Sequence, residues 1–303
     1  MARPNPGVAA IMVKDGRVVT RGWTQGGGRP HAEAHAFESL PEGAAKDATL
    51  YVTLEPCAHV AERGPACADL ISALRPARVV IGQIDPDPRT AGKGVETLEA
   101  AGIAVTVLND DASARSLPGF LLRMREGRPY VTLKLAQSLD GCIALADGTS
   151  QWITGEAARA HCHAMRAKNE AILVGGGTWR ADKPRLNVRL PGLEERSPDR
   201  VLLTRGVAPD GVRVINAPEH IAQLDGVLHL YVEGGAATAA SFLKAGLVDE
   251  LHLYPAPFVI GFGPSILSAI GLQDLASAHN RWHQSEQRAL GSDRFSAYLR
   301  TRT

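Results

Sequence analysis

Three short motifs stand close together in the first quarter of the chain: Pro30-His31-Ala32-Glu33, Thr53-Leu54-Glu55-Pro56-Cys57 and Gly64-Pro65-Ala66-Cys67. One imidazole and two thiols, with a fourth position open to water, form the ligand set of a catalytic zinc site. The order His-x-Glu, Pro-Cys, Cys is the signature of zinc deaminases, in which the glutamate carries protons. We therefore predict that His31, Cys57 and Cys67 bind zinc and that Glu33 is the catalytic acid and base.

The spacing of these residues constrains the helices that carry them. Residues i and i+2 point to different sides of a regular helix, so His31 and Glu33 share a site only if His31 stands at the helix start. Pro30 is compatible with that position. Cys67 should also begin a helix, whose partial positive charge favours the thiolate. One detail departs from the signature, because nine residues rather than two separate the cysteines.

Composition limits the other possibilities. A chain of 303 residues can form two domains, and its net charge of +1 gives no electrostatic argument for nucleic acid or membrane partners. No apolar run approaches the ~20 residues that span a bilayer, and the first residues contain no apolar signal core. Four cysteines in so long a chain are no disulfide framework, so we expect a reducing cytoplasm.

The first half alternates predicted strands and helices, which indicates a layered α/β domain. A hairpin turns at Asp15-Gly16, and strands follow at Leu50–Leu54, Arg78–Gly82 and Ile103–Leu108. The pattern resets in a basic segment between two prolines, Pro118 and Pro129. We place the domain boundary there, giving residues 1–127 and 128–303.

The second half also alternates strands and helices, and two glycine-rich turns follow predicted strands. Gly175-Gly176-Gly177 and Gly234-Gly235 could hold phosphate groups on backbone N–H donors. Neither matches the G-x-G-x-x-G dinucleotide motif, and glycine after a strand is common in α/β proteins. The pattern alone leaves a structural and a functional explanation equally supported.

The first half resembles the deaminase domain of the bifunctional deaminase–reductases of riboflavin biosynthesis. The resemblance is carried by the three motifs above together with Pro4-Asn5-Pro6, Ala58-His59, Ala68-Asp69 and Asp85-Pro86-Asp87-Pro88. It implies a cytidine-deaminase-like fold, zinc at the predicted ligands, and contacts from Asn5, His59 and Asp85 to a pyrimidine. A wide gap between the cysteines is usual in that family, although the gap here is one residue longer. Arg63, in that gap, is either a phosphate contact or an exposed loop arginine.

The second half resembles the reductase domain of the same family through Ser138-Leu139-Asp140-Gly141, Ser150 to Thr154, Thr178 to Asp182, Leu186 to Arg189 and Val232 to Gly235. The resemblance implies a dihydrofolate-reductase-like α/β fold and NADPH as cofactor. The implied NADPH-site residues are Ala136, Trp152, Thr178, Asp182, Thr204, Gly235, Ala236, Ala237, Thr238, Ala239, Ala240 and Ser241. The implied substrate-site residues are Ser150, Arg166, Leu186, Arg189 and Glu233. Two arginines suit a phosphate monoester, since each guanidinium can bond two oxygens.

Lys134 is a further catalytic candidate, because a lysine on a strand at the cleft could polarise the ribose oxygen. The other cysteines and histidines have no metal-ligand spacing: Cys142 and Cys162 are expected to be buried thiols, and the neighbours His161 and His163 face different ways.

The predicted function is zinc-dependent deamination of a phosphorylated pyrimidine followed by NADPH-dependent reduction of its ribosyl group. We expect a small-molecule substrate, no nucleic-acid or membrane partner, and a homo-oligomer, either a dimer or a tetramer. Two alternatives stay open. One is a reductase with an impaired deaminase site. The other is a nucleic-acid-editing deaminase, although 5% aromatic residues give it little support.

Overall fold

The computed structural model describes residues 2, 5–59, 64–207 and 209–301. The chain divides into two compact units, Met1–Gly127 and Arg128–Thr303. None of the helices in the described part of the chain has the length and apolar character needed to cross a membrane.

In its described residues, the first unit is a five-stranded sheet with five helices. Its strands are β1 Ala9–Lys14, β2 Arg17–Trp23, β3 Thr49–Val52, β4 Arg78–Ile81 and β5 Ala104–Val107. Its helices are α1 Ala32–Glu38, α2 Cys67–Leu74, α3 Lys93–Ala100, α4 Asp111–Ser116 and α5 Pro118–Glu126. The sheet order is β2-β1-β3-β4-β5, with β3, β4 and β5 parallel and β1 antiparallel to both of its neighbours.

Two local features hold α1 in the place that the zinc motif requires. Asp15 and Gly16 both have positive φ, which closes the β1–β2 hairpin as the Asp-Gly pair predicted. Gly22 on β2 packs against the start of α1, where a Cβ would lie 2.2 Å from the Ala32 carbonyl oxygen. Strand and helix can therefore approach closely only with glycine at this position. The core between sheet and helices is formed by Met12, Leu50 and their neighbours, all fully buried.

The described part of the second unit is an eight-stranded sheet with three helices. Its strands are β6 Tyr130–Gln137, β7 Ala171–Gly175, β8 Asp199–Leu203, β9 Arg213–Ile215, β10 His229–Val232, β11 Glu250–Pro255, β12 Trp282–Leu290 and β13 Asp293–Arg300. Its helices are α6 Glu156–Arg166, α7 Gly176–Asp182 and α8 Ala236–Lys244. The order is β12-β13-β11-β6-β10-β7-β8-β9, parallel from β11 to β9 and antiparallel at β13 and β12. Short 3-10 turns lie at Gly26–Gly28, Glu194–Arg196, Pro218–Gln223 and Ala276–Ala278.

Several elements were not predicted from the sequence. Helices α4, α5 and α7 and strands β9 and β12 are additional. Strand β12 reads Trp-His-Gln-Ser-Glu-Gln-Arg-Ala-Leu and is mostly exposed, so it lacks the apolar alternation that marks a strand. Helix α7 begins with two glycines. Glycine disfavours the helical conformation, so this helix is hard to predict from its sequence.

A buried ion pair fastens the start of the second unit. The Arg128 guanidinium donates to both carboxylate oxygens of Asp249, at 2.8 and 3.0 Å, and the Val131 N–H donates to the same carboxylate at 2.8 Å. Both side chains are almost fully buried. The pair therefore joins the beginning of β6 to the beginning of β11.

We predict that Asp249→Ala lowers the free energy of unfolding by about 3–5 kcal/mol, because it leaves the Arg128 charge buried without its carboxylate. Urea unfolding of the full chain would measure the change. Glu219→Ala, which removes an exposed acid of the same unit, should change stability by about 0.5 kcal/mol or less. Equal effects of the two substitutions would contradict a stabilising role of the Arg128–Asp249 ion pair.

Candidate active sites

The first unit brings the three predicted zinc ligands together. His31 is the N-cap residue of α1, and Cys67 is the first residue of α2. The His31 Nδ1 lies 3.5 Å from the Cys57 Sγ and 3.4 Å from the Cys67 Sγ. Among the described residues, this is the one group of three or more His, Cys, Asp or Glu side chains with the spacing of a metal site.

The geometry of the three ligands fits zinc. Tetrahedral zinc with Zn–N of about 2.0–2.1 Å and Zn–S of about 2.3 Å places nitrogen and sulfur roughly 3.5 Å apart. Both observed N–S distances agree with that value. The Asn5 side-chain amide lies 2.9 Å from the other ring nitrogen of His31 and also donates to the Gly28 carbonyl.

Hydrogen bonds to the sulfur of Cys57 favour its thiolate form. The hydrogen bond with the Cys67 thiol, opposed by burial and aided by His31, lowers the pKa of Cys57 to about 4. The Cys67 backbone N–H also donates to the Cys57 Sγ at 3.3 Å. Cys57 is therefore a thiolate at neutral pH, which is the form that binds metal.

Glu33 lies in the first turn of α1 and is buried beside the ligands. Burial raises the pKa of its carboxyl above the usual value, and its side chain hydrogen-bonds with Cys67. A carboxyl group beside a water-activating site can accept a proton from the water and return it to the leaving group.

The other predicted contacts of the first site lie on loops that follow β3 and β4. The His59 Nδ1 is 3.2 Å from the Thr90 hydroxyl, and an Asp85 carboxylate oxygen accepts the Asp87 N–H at 2.9 Å. The negative charge of Cys57 lies close enough to Asp85 to influence its pKa. Residues 60–63, which include Arg63 and much of the longer Cys57–Cys67 loop, lie outside the described part of the chain.

Glu55 is a site residue to which sequence reasoning assigned no role. Its buried carboxylate accepts N–H groups from Asp85 at 3.2 Å, Gly92 at 3.1 Å, Gly94 at 2.9 Å and Val95 at 3.2 Å. Glu55 thereby caps the start of α3 and holds the loop that carries Asp85. Cys57 follows Glu55 by only two residues. The only signal in the sequence was its position inside the Thr-Leu-Glu-Pro-Cys motif.

The second unit contains a cavity of about 730 Å³ at the carboxyl ends of its parallel strands. That volume suits a sizeable ligand, and parallel sheets bind ligands at this edge. Many of the residues predicted from the resemblance line it: Lys134, Ala136, Ser150, Trp152, Arg166, Thr178, Asp182, Leu186, Arg189, Glu233 and Gly235.

Arg166 and Glu233 form an ion pair at this cavity. The Arg166 Nε and Nη2 donate to the two Glu233 oxygens at 2.6 and 2.8 Å, and Nη1 donates to the Asn187 carbonyl at 3.0 Å. Three of the five N–H groups of Arg166 are thus bonded within the protein, and its contact with the substrate stays a prediction. Arg189 is exposed at the same cavity.

Comparison with known proteins identifies the family of both domains. The family model described as the cytidine and deoxycytidylate deaminase zinc-binding region matches residues 1–83, and the RibD C-terminal domain matches residues 129–294. The riboflavin biosynthesis protein RibD of Bacillus amyloliquefaciens is 41% identical, with 90% of this chain and 85% of the relative covered. The chain belongs to the RibD family.

Other RibD proteins support this assignment. RibD of Escherichia coli K12 is 40% identical over 91% of this chain and 88% of its own length. The structure of Acinetobacter baumannii RibD has a TM-score of 0.87 and 34% identity, covering 99% of this chain and 93% of that one. A Thermotoga maritima structure, titled as a diaminohydroxyphosphoribosylaminopyrimidine deaminase and 5-amino-6-(5-phosphoribosylamino)uracil reductase, has a TM-score of 0.85 and 31% identity, covering 99% and 94%.

Family membership establishes the class of chemistry at the two sites. The chain is a bifunctional enzyme of riboflavin biosynthesis, with a deaminase domain that uses zinc and a RibD-type reductase domain that uses NADPH. The expected cytidine-deaminase-like and dihydrofolate-reductase-like α/β folds are confirmed.

The structure separates the predicted NADPH-site residues of this RibD chain into two groups. Gly235 lines the cavity as the N-cap of α8, whose N-terminus can hold a phosphate. Thr238 packs between two glycines, since a Cβ on Gly175 would lie 2.1 Å from its hydroxyl and one on Gly234 2.4 Å from its Cβ. The residues outside the described cavity lining are Thr204, Ala236, Ala237, Thr238, Ala239, Ala240 and Ser241.

His163 is another residue whose place the sequence did not reveal. Its Nδ1 accepts the Arg189 backbone N–H at 3.3 Å, which fixes the loop that carries Arg189. Burial lowers the pKa of His163 to about 4, so the ring is neutral and keeps this acceptor. By contrast, Cys142 and Cys162 are buried free thiols, as expected.

We predict that Asp85→Asn raises the thermal midpoint at pH 8 and leaves it unchanged at pH 4. Burial raises the pKa of Asp85 to about 6, so the wild-type chain loses stability as pH rises from about 4 to 6 and this carboxyl ionises. Asp87→Asn should have the opposite sign at pH 8, because hydrogen bonds from Arg89 lower the pKa of Asp87. A loss of stability in Asp85→Asn at both pH values would contradict the assignment.

Proposed function

We propose that the chain catalyses two consecutive reactions on one phosphorylated pyrimidine. The first removes an amino group from 2,5-diamino-6-ribosylamino-4(3H)-pyrimidinone 5′-phosphate, and the second reduces the ribosyl group of the product to ribityl. The observation that carries the proposal is the pairing of zinc-spaced His31, Cys57 and Cys67 with a buried Glu33 in a chain that also holds a RibD reductase cavity. The Thermotoga maritima relative is titled for these two activities.

In the deaminase site we assign proton transfer to Glu33. Zinc, when bound, supplies Lewis-acid activation of the attacking water, whose pKa it lowers toward ~7. Glu33 takes the water proton as oxygen adds to the ring carbon, and returns a proton to the nitrogen that leaves as ammonia. We assign the pyrimidine to Asn5, His59 and Asp85. Asn5 contacts His31, Asp85 lies within electrostatic range of Cys57, and His59 follows Cys57 by two residues.

In the reductase site we assign Lys134 to the ribose oxygen. NADPH, when bound, would supply a hydride to C1′. As the bond from C1′ to the ring oxygen breaks, that oxygen needs a proton. Lys134 projects from β6 into the cavity, with its Nζ 6.0 Å from the Tyr254 ring centroid, and can donate this proton. Glu233, held by Arg166, and the neighbouring Ser150 and Leu186 form the rest of the substrate site.

Arg189 is the arginine that we assign to the substrate phosphate in the reductase site. Its side chain is exposed at the cavity while its backbone is fixed by His163. Trp152, Thr178, Asp182 and Gly235 line the part of the cavity that we assign to NADPH, with Thr204 and residues 236–241 beside it. We further propose that the enzyme acts in the cytoplasm as a homo-oligomer.

Glu33→Gln should retain zinc and lower ammonia release from the diamino substrate by about 10²–10⁴-fold, because the proton carrier is lost. Oxidation of NADPH with the deaminated substrate should be unchanged. Glu99→Gln, at an exposed position of α3, is the matched control. Loss of both activities in Glu33→Gln would contradict the proposal that the deaminase and reductase sites act independently. Wild-type protein that binds zinc and oxidises NADPH but releases no ammonia would instead identify a reductase-only member of the family.

Lys134→Ala should lower NADPH oxidation with the deaminated substrate by about 10²–10⁴-fold and leave ammonia release intact, because only the reductase loses its proton donor. Steady-state rates of the two half-reactions measure this directly. Lys168→Ala removes an exposed lysine of the same unit and should change neither rate. Wild-type turnover in Lys134→Ala would exclude the assigned role.

A further inference from the structure

A second cavity, of about 380 Å³, opens beside the zinc ligands in the first unit. Its lining includes His31 and Cys67, with Glu38 and Leu70 from the two helices and Arg29 at its rim. Two of the three zinc ligands therefore face a space large enough for part of a substrate.

Arg29 is the cationic side chain of this cavity lining. It is half-buried, and its Nη1 lies against Gly64, where an added Cβ would be 3.2 Å away. The described part of the chain provides it with no hydrogen-bond acceptor or ion-pair partner. Glu38 lines the same cavity without pairing with it. A half-buried guanidinium without an acceptor favours binding of an anion.

The position of Arg29 suits the far end of the proposed substrate. It precedes His31 by two residues, so their Cα atoms are at most about 7 Å apart. The guanidinium can extend further from the metal toward Gly64, which belongs to the loop between the two cysteine ligands. When the pyrimidine ring of the substrate reacts at zinc, its phosphate lies on the far side of the ribose, away from the zinc ligands. The Arg29 guanidinium is likewise displaced from the ligands, toward Gly64.

We propose that Arg29 binds the 5′-phosphate of the deaminase substrate. This inference rests on the proposed function and names the residue that makes the first site selective for a phosphorylated compound. The planar guanidinium can bond two phosphate oxygens, and a partly desolvated site strengthens the attraction between the charges. Arg29 would thus bind the phosphate at the first site, as Arg189 does at the second.

The test compares the phosphorylated diamino substrate with its dephosphorylated form. Arg29→Gln should raise KM for ammonia release from the phosphorylated substrate by about 10- to 100-fold, the effect of a lost charge-assisted bond. KM for the dephosphorylated form, kcat for both and zinc content should be unchanged. Arg29→Lys should recover most of the affinity, and Arg21→Gln, an exposed arginine on β2 outside the cavity lining, should behave as wild type.

Two results would overturn the proposal. An equal rise in KM for both substrates would make Arg29 a structural residue. An unchanged KM, with a phosphate-selective rise in Arg63→Gln, would assign the phosphate to the loop arginine instead. Calorimetric binding of both compounds to the Glu33→Gln chain, with and without Arg29→Gln, tests phosphate selectivity apart from turnover. A wild-type chain that releases no ammonia would contradict the proposed function, whereas this binding comparison would still decide the role of Arg29.

Discussion

The parallel pairing of the central strands is the constraint on which both active sites depend. Parallel strands end at the same edge of a sheet, so the loops that follow them meet there. In the first unit, β3 leads to Cys57 and β4 to Asp85. In the second, the edge formed by β6, β7 and β10 collects the residues of the reductase cavity. Residues that are distant in sequence therefore lie close together at this edge of each sheet.

At the deaminase site, backbone donors fix these loops. Glu55 receives four backbone N–H groups, one from Asp85 and three from the start of α3. A buried carboxylate is costly unless it is bonded in this way, and once bonded it restricts every segment that donates to it. Because Cys57 follows Glu55 by two residues, the same bonds that hold Asp85 also fix the chain leading to a zinc ligand. The metal ligand Cys57 and the proposed pyrimidine contact Asp85 are thereby positioned together.

The sequence predicted those features that depend on local spacing. His31 had to stand at a helix start because His-x-Glu cannot share one helix face, and the structure shows it as the N-cap of α1. The hairpin at Asp15-Gly16 followed from turn chemistry. Glu55 could not be assigned a role, because its partners lie 30 to 40 residues further along the chain. Strand β12 was missed because an exposed edge strand needs no apolar face.

The Arg166–Glu233 pair shows what a resemblance leaves undetermined. It placed both residues at the substrate site, yet the 67-residue separation between them concealed that they bond each other. A buried carboxylate held by arginine stays ionised, and accordingly the positive charge of Arg166 helps to lower the pKa of Glu233. A fixed negative charge there disfavours a phosphate beside it and favours the hydroxyls of a sugar, which can donate to it. This charge pattern supports the proposal that the substrate phosphate lies toward Arg189, at the exposed part of the cavity.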